Sequence, residues 1–399
     1  MPIYPPVAVE RAMKIQEVIL RAVSGEILWS QAAEIIGISD RGMRRWRQRY
    51  EEYGYTDLFD RRRGRPSPKR VPLATVEKVL KLYRGEYFDF NVRHFVEKLH
   101  QEHDIGLSYT WVKTALQTAG LVAKSRKRGK HHKKRPRRPL PGMMLHVDGS
   151  THAWLPGGDR QHDLVAVLDD ANNQVYYAQL VEQESTATVM AALREVIQHQ
   201  GLFCSLYSDR GSHFVHTPKA GESPDPRHRT QLGRALQQLG IELIPANSPQ
   251  ARGRCERFFS TWQGRVPQEL RLRKIDTLEA ANQFLCDHWM DYHNQNFTVA
   301  APQPGTAFVR YTGDQLDTIF SLQHDRVVGN DNTVTFGKVA FQIEPQRFRY
   351  SLARCRVMVC EHLDKTITLH YGPHVLGRYN SQGELIVPGK LQRGKRKVA

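Results

Sequence analysis

Three stretches decide how this chain is read: Met143-Met-Leu-His-Val-Asp-Gly149, Leu206-Tyr-Ser-Asp-Arg-Gly-Ser-His-Phe214 and Asn247-Ser-Pro-Gln-Ala-Arg-Gly-Arg-Cys-Glu-Arg-Phe-Phe259. They carry the acids Asp148, Asp209 and Glu256. The first two acids follow short apolar runs, residues 143–147 and 202–207, that read as buried strands. The third is expected on a helix, because Cys255, Phe258, Phe259 and Trp262 recur at helical spacing. An acid at the end of a buried strand is costly unless something positive sits beside it. Convergence of these acids would make a hard, all-oxygen site suited to Mg2+ or Mn2+. Two-metal cleavage or transfer of a phosphodiester requires such a site.

These boxes resemble the DDE catalytic core of the retroviral-integrase superfamily, in the form found in transposases of bacterial insertion sequences. The resemblance covers roughly residues 140–273 and is most specific in the last box, then in the Asp209 box with its Gly211 and Phe214. One departure is the 46-residue gap between Asp209 and Glu256, longer than is usual in the family. The excess falls in residues 217–230, rich in Pro, Gly and charge, which read as a surface loop insertion. The resemblance implies a multidomain protein with a central α/β ribonuclease-H-like core, a mixed five-stranded sheet in the order βββαβαβα. It implies that Asp148, Asp209 and Glu256 are both the catalytic and the metal-binding residues, with two Mg2+ (or Mn2+) ions per active site. Asp148 would bridge the two ions, and Asp209 and Glu256 would each complete one. It also implies double-stranded DNA as partner, both transposon ends and target, and a homo-oligomer on that DNA, a dimer or higher.

The bulk properties agree. The 399 residues allow two to four domains, and 40% apolar with 25% charged residues fit a soluble globular protein. The net charge of +17 points to a polyanionic partner. No long apolar run predicts a membrane span, and the N-terminus lacks the pattern of a secretory signal. The five scattered cysteines form no CxxC pair, which fits a reduced, cytoplasmic, nucleoid-associated protein without structural zinc.

Residues 1–60 read as an all-α helix-turn-helix domain, with helices over 7–23, 29–36 and 39–50, Ser30 and Ser39 as N-caps and a turn at Gly37. Arg41, Arg44, Arg45 and Arg47 line the third helix and are candidates for phosphates and guanine edges; a solvated arginine face is the plain alternative. Residues 61–70 form a basic arm, with Arg61, Arg62, Arg63 and Arg65 placed to track a minor groove. Residues 71–122 read as a second, helix-turn-helix-like domain, with helices over 75–83, 91–103 and 108–119. Tyr109 and Lys113 on the last of these would read a second groove, while Trp111, Val112, Ala115 and Leu116 form its core stripe.

Residues 123–141 are a linker, and its stretch 124–138 holds five Lys, five Arg and no acid. Lys133, Lys134 and Arg135 in it should lie along phosphates. Residues 142–304 form the core. The hairpin acids Asp169 and Asp170 are expected to face water, and His146 is expected to be a packed neighbour rather than a zinc ligand. His213 could position DNA or a metal-bound water. Arg252 and Arg257 flank Glu256 and should meet the DNA backbone, with Arg254 beside them, although a salt bridge to Glu256 is the alternative. Residues 305–399 read as short alternating strands of an SH3-like β-barrel with a basic tail.

The function expected is that of a transposase that binds terminal inverted repeats, cuts DNA with metal ions and joins the new 3′ hydroxyl to a target phosphodiester. Two alternatives stay open: a non-catalytic DNA-binding protein, such as a repressor or a domesticated transposase, and a ribonuclease-H-like nuclease without strand transfer.

Overall fold

The computed structural model describes residues 6–59, 71–124, 135–158, 160–215, 229–246, 253–346 and 348–386. Arg61, Arg62, Arg63, Arg65, Lys133, Lys134, Arg252, most of the 217–230 loop and the basic tail lie outside them. The chain forms two compact units, Met1–Val79 and Leu80–Ala399.

In the first unit α1 (Pro6–Val23), α2 (Trp29–Ile36) and α3 (Asp40–Tyr53) follow one another as expected. Ala12, Ile15, Val18, Ile19 and Ala22 of α1 close on Ala32 and Ala33 of α2 and on Met43 of α3. Ser39 caps α3, its Oγ accepting from the Gly42 amide at 3.2 Å. Ser30 is not a cap. The cap of α2 is Leu28, whose amide donates to Gln31 Oε1 at 2.9 Å, because the helix begins two residues earlier than a Ser30 cap would allow. The turn into α3 passes through Gly37 at φ +76°, left-handed backbone where a side chain would be strained.

The second unit opens within α4 (Leu73–Gly85), followed by α5 (Val92–His103) and α6 (Tyr109–Thr118). Asn91 and Ser108 cap α5 and α6 through their side-chain oxygens. A five-stranded sheet follows: β1 (Leu145–His152), β2 (His162–Asp169), β3 (Val175–Val181), β4 (Ser205–Ser208) and β5 (Glu242–Pro245), in spatial order β3-β2-β1-β4-β5. β1, β2 and β3 pair antiparallel, while β1–β4 and β4–β5 are parallel. This is the mixed five-stranded sheet anticipated.

Strand alternation divides the side chains between two cores. Val147, Val165 and Val167 face α7 (Thr186–Gln200) and α8 (Gln231–Gln238). Leu164, Ala166 and Leu168 face α9 (Gly253–Gln263), α10 (Val266–Leu272) and α11 (Leu278–Phe284), with Trp262 wholly buried among them. A π-helical turn, Leu285–Trp289, joins α11 to α12 (Met290–Phe297).

The α4–α6 helices are docked on this core through α10. Glu269, buried, accepts from His94 Nε2 at 2.8 Å and Lys98 Nζ at 2.7 Å. Burial raises its carboxyl, but the His94 and Lys98 hydrogen bonds and charges bring it down to about 2. Arg265, also buried, holds Glu97 in a two-pronged pair that Tyr292 joins. Arg271 grips Asp89 with both prongs, at 2.9 and 2.7 Å.

After α12 the chain straps across the core. Val309 pairs with Leu202 through bonds of 2.7 and 2.9 Å, and α13 (Leu316–Ile319) leads into the last strands. β6 (Leu322–Val327), β9 (Arg356–Glu361), β10 (Ile367–Tyr371) and β11 (His374–Tyr379) make a four-stranded antiparallel sheet in the order β11-β10-β9-β6. β7 (Thr333–Phe336) and β8 (Val339–Gln342) pair only with each other, packed over the same core of Val334, Phe341, Val359 and Leu369. The expected closed β-barrel is therefore corrected: among the described residues no ladder joins the hairpin to either edge of the four-stranded sheet.

Candidate active site

Asp148 lies inside β1, opposite Ala166, rather than just beyond the strand. β2 supports β1 along its full length, whereas β4 pairs with only its first two residues, Leu145 against Leu206 and His146 against Tyr207. That pairing ends two residues before Asp148, and Asp209 is the residue directly after β4. Both acids thus lie just past the paired stretch of two adjacent parallel strands, toward the end at which open α/β sheets hold their ligands. Asp148 is buried, and Asp209 is shaped by its own turn, Oδ1 accepting from the Gly211 amide at 2.8 Å.

Asp148 shares its face of the sheet with Ser150, which receives a 2.9 Å bond from Gln263 of α9. Glu256 is on the first turn of that helix, exposed, beside the buried Cys255. Among the described residues, no three His, Cys, Asp or Glu side chains stand close enough to hold a metal ion. The structure brings Asp148 and Asp209 to one edge and leaves Glu256 exposed on the face of α9.

A fourth acid belongs to this corner and escaped the sequence reading. Glu184 sits between β3 and Ser185, the cap of α7, and its amide donates to Asp163 Oδ2 at 2.7 Å. Its carboxylate lies across Gly149, in the space a Cβ there would need. Burial first, then the carboxylates of Asp209 and Asp163, push it up to about 7. The available signal was its place at a strand-to-helix junction directly before a capping serine. His213 is nearby, its Nδ1 3.0 Å from Thr186 Oγ1 at the start of α7.

The hairpin acids correct another expectation. Asp169 and Asp170 do not face water; both are fully buried. Asp169 accepts from the Gly142 and Ala171 amides at 2.8 and 2.7 Å, and burial raises its carboxyl. Asp170 gathers the guanidiniums of Arg135 and Arg254, the His146 Nε2 at 2.8 Å and the Arg138 amide at 2.8 Å. Burial would raise its carboxyl, but the bonds from His146 and Arg138 and the charges of His146 and Arg254 hold it far below the usual range. Arg254 therefore pairs with Asp170 rather than with Glu256. Arg135 is tied to the core as well, although its side chain stays 40% exposed. His146 is the packed neighbour anticipated, its ring edge-on to Tyr207 at 5.1 Å.

The other candidates for DNA contact are surface groups. Arg41, Arg44 and Arg45 are exposed on α3; Arg47 is exposed too, but pairs with Glu51 at 2.7 Å and lies over Trp29. Tyr109 and Lys113 are exposed on α6, with Arg93 and Lys113 over the Tyr109 ring at 5.8 and 5.9 Å. Arg257 is exposed on α9, beside Glu256.

Comparison with known proteins adds to this geometry. A helix-turn-helix domain family matches residues 16–67, and a homeodomain-like domain family matches residues 43–116. A putative transposase of Sinorhizobium fredii is 29% identical over 357 residues, covering 85% of this chain and 77% of the relative. The transposase for insertion sequence IS1202 of Streptococcus pneumoniae is 26% identical over 395 residues, covering 88% of this chain and 83% of the relative. Among solved structures, the HTLV-2 integrase catalytic core domain in complex with magnesium aligns at 13% identity and a TM-score of 0.30, over 41% of this chain and 91% of that one. No helix among the described residues is long and apolar enough to cross a membrane. With helix-turn-helix segments ahead of a mixed five-stranded core, the chain is similar over most of its length to two transposases, one of them that of an insertion sequence.

Proposed function

We propose that the protein is a DDE transposase that binds the terminal inverted repeats of its element, cuts there and joins the freed 3′ hydroxyl to a target phosphodiester. The observation that supports this reading is the parallel pairing of β1 and β4, which ends two residues before Asp148 and two before Asp209. α9, carrying Glu256, packs on the face of β1 that Asp148 shares.

The residues fit a hard divalent cation. Asp148, Asp209 and Glu256 offer only carboxylate oxygen, and the upward push on Glu184 marks this corner as crowded with negative charge. Asp148, Asp209 and Glu256 would hold Mg2+ or Mn2+, two ions per site. Bound there, the metal supplies a nucleophile at neutral pH and screens the charge of the leaving oxygen. The chain's own part is positional. β1 carries Asp148 and the turn after β4 carries Asp209, Gly211 holds the Asp209 side chain in that turn, and Arg254 tethers the first turn of α9 to Asp170. Arg257 meets the scissile strand, and α3 and α6 bind the flanking duplex. Both steps are in-line phosphoryl transfers, so no covalent protein intermediate forms. Two or more subunits pair the transposon ends before cutting.

The test uses the full chain with a labelled duplex of the repeats bordering its gene, a target duplex and Mg2+. Metal-dependent nicking at the repeat boundary together with covalently joined product is expected. Binding without nicking would leave a repressor-like protein, and nicking without joined product would leave a nuclease.

A further inference from the structure

The segment that carries α6 is fastened to the segment that carries Glu256. α9 ends at Gln263; Gly264 and Arg265 follow, then α10. Every one of these next steps is gripped by α5 or the turn before it. Asn91 Nδ2 donates to the Gly264 carbonyl at 2.8 Å while its Oδ1 caps α5. Arg265 takes Glu97, Glu269 takes His94 and Lys98, and Arg271 takes Asp89 and the Glu86 carbonyl.

The central members of this contact, His94, Lys98, Arg265 and Glu269, are each at most 5% exposed. Buried charges satisfied in this way tolerate no sliding, since a shift of one residue would strand each of them without a partner. Apolar surfaces could slip; this one has a single register. α6 in turn packs on α5 through Val112 and Leu116, both fully buried, and turns Tyr109, Lys113 and Thr114 outward.

We propose that this ionic lock is a ruler: it fixes α6 at a set offset from the carboxylate edge, so that the sequence bound by α6 determines which phosphodiester is presented for cutting. The proposal rests on the transposase reading above and adds to it the source of cut-site precision. Glu97 and Asp89 act as positioning residues, far from the reacting atoms.

The experiment maps cleavage at nucleotide resolution, with the full chain, Mg2+ and the labelled terminal duplex. The variants are Asp89→Asn and Glu97→Gln, singly and together; both side chains lie at the partly exposed rim, which spares the buried Glu269. Wild type should cut at one position. The double variant should bind the duplex as wild type does, spread its cuts to neighbouring phosphodiesters and lose about tenfold or more at the original one. Hydrogen exchange on the DNA-free double variant should show faster exchange in α5 and α6, with β1–β3 unchanged. Loosened α5 and α6 with cuts still confined to the original bond would overturn the proposal, as would α5 and α6 amides protected as in wild type. A wild-type protein that cuts nothing would instead overturn the transposase reading itself.

Discussion

The Glu184 carboxylate lies across Gly149 of β1 in the space a methyl group at that position would fill. Only glycine there lets an acid from the β3–α7 junction reach the Asp148–Asp209 edge.

This contact has a pH signature. Burial and the Asp209 and Asp163 carboxylates raise Glu184 from 4.5 to about 7. Between those values the folded chain keeps a proton that the unfolded chain has released. The contribution of Glu184 to stability is thus complete below pH 4.5 and is lost as the pH climbs to about 7. Glu184→Gln cannot titrate. In metal-free buffer it should raise the melting temperature relative to wild type more at pH 8 than at pH 5, by roughly 2–4 °C. Gly149→Ala, by driving the carboxylate into water, should flatten the profile in the same direction. Equal shifts at both pH values for Glu184→Gln would show that the acid is not held as described.

Asp148→Asn, Asp209→Asn and Glu256→Gln should each cut cleavage by about 10²- to 10³-fold or more, the scale set by losing one partner of a developing charge. End binding should be nearly untouched, since the acids add nothing to phosphate contact. Gel-shift and nicking assays on the same preparations separate the two. A Glu256→Gln enzyme cutting at wild-type rate would remove α9 from the chemistry.

Much of this was legible in the chain. Val147, Val165 and Val167 alternate with Ala166 and Leu168, so β1–β3 and their two faces follow from period-two patterning. The cap residues Ser39, Asn91 and Ser108 act on amides within three positions, and local sequence shows them. Ser30 misled because Gln31 could cap Leu28 by reaching back. What stayed hidden was long-range. Asp170 looked like an exposed hairpin acid because its partners Arg135 and Arg254 stand 35 and 84 positions away. The His94–Glu269 bond spans 175 positions, so nothing near either residue announces the docked helices. β6 reads poorly because Leu322–Val327 is half exposed and lacks alternation. α10 did leave a signal, a proline in its first turn.

On α3, Arg44→Ala and Arg45→Ala should each lower the slope of log affinity against log salt by about 0.9, the release of one counterion per lost phosphate contact. Arg47→Ala should change it less, because Glu51 and Trp29 already engage that guanidinium. Fluorescence anisotropy on the terminal duplex between low and moderate salt reads the slopes directly. Identical slopes for wild type and all of these variants would leave α3 as a solvated face.

Asp170→Asn is the sharpest test of the buried hub. The amide keeps the shape of the side chain but leaves Arg135 and Arg254 beside a neutral group and, with its oxygen kept on the Arg135, Arg254 and His146 donors, sets an NH2 against the Arg138 amide in place of the acceptor Oδ2. Breaking one partner of a buried pair costs about 3–5 kcal/mol. Here the loss should fall toward the lower end, because the side chain of Arg135 is 40% exposed and that of Arg254 is 17% exposed, and both can turn to water. The melting temperature should therefore drop by several degrees. A second effect follows from position. Arg254 precedes Glu256 by two residues on the first turn of α9, so releasing it frees the end of the helix that carries the third acid. Cleavage should fall further than end binding, and Arg254→Ala should reproduce that split with a smaller loss of stability, since it removes the buried cation along with its need for a partner. Should Asp170→Asn melt and cut like wild type, the carboxylate would be a bystander and the anchoring of α9 would have to come from its apolar face alone.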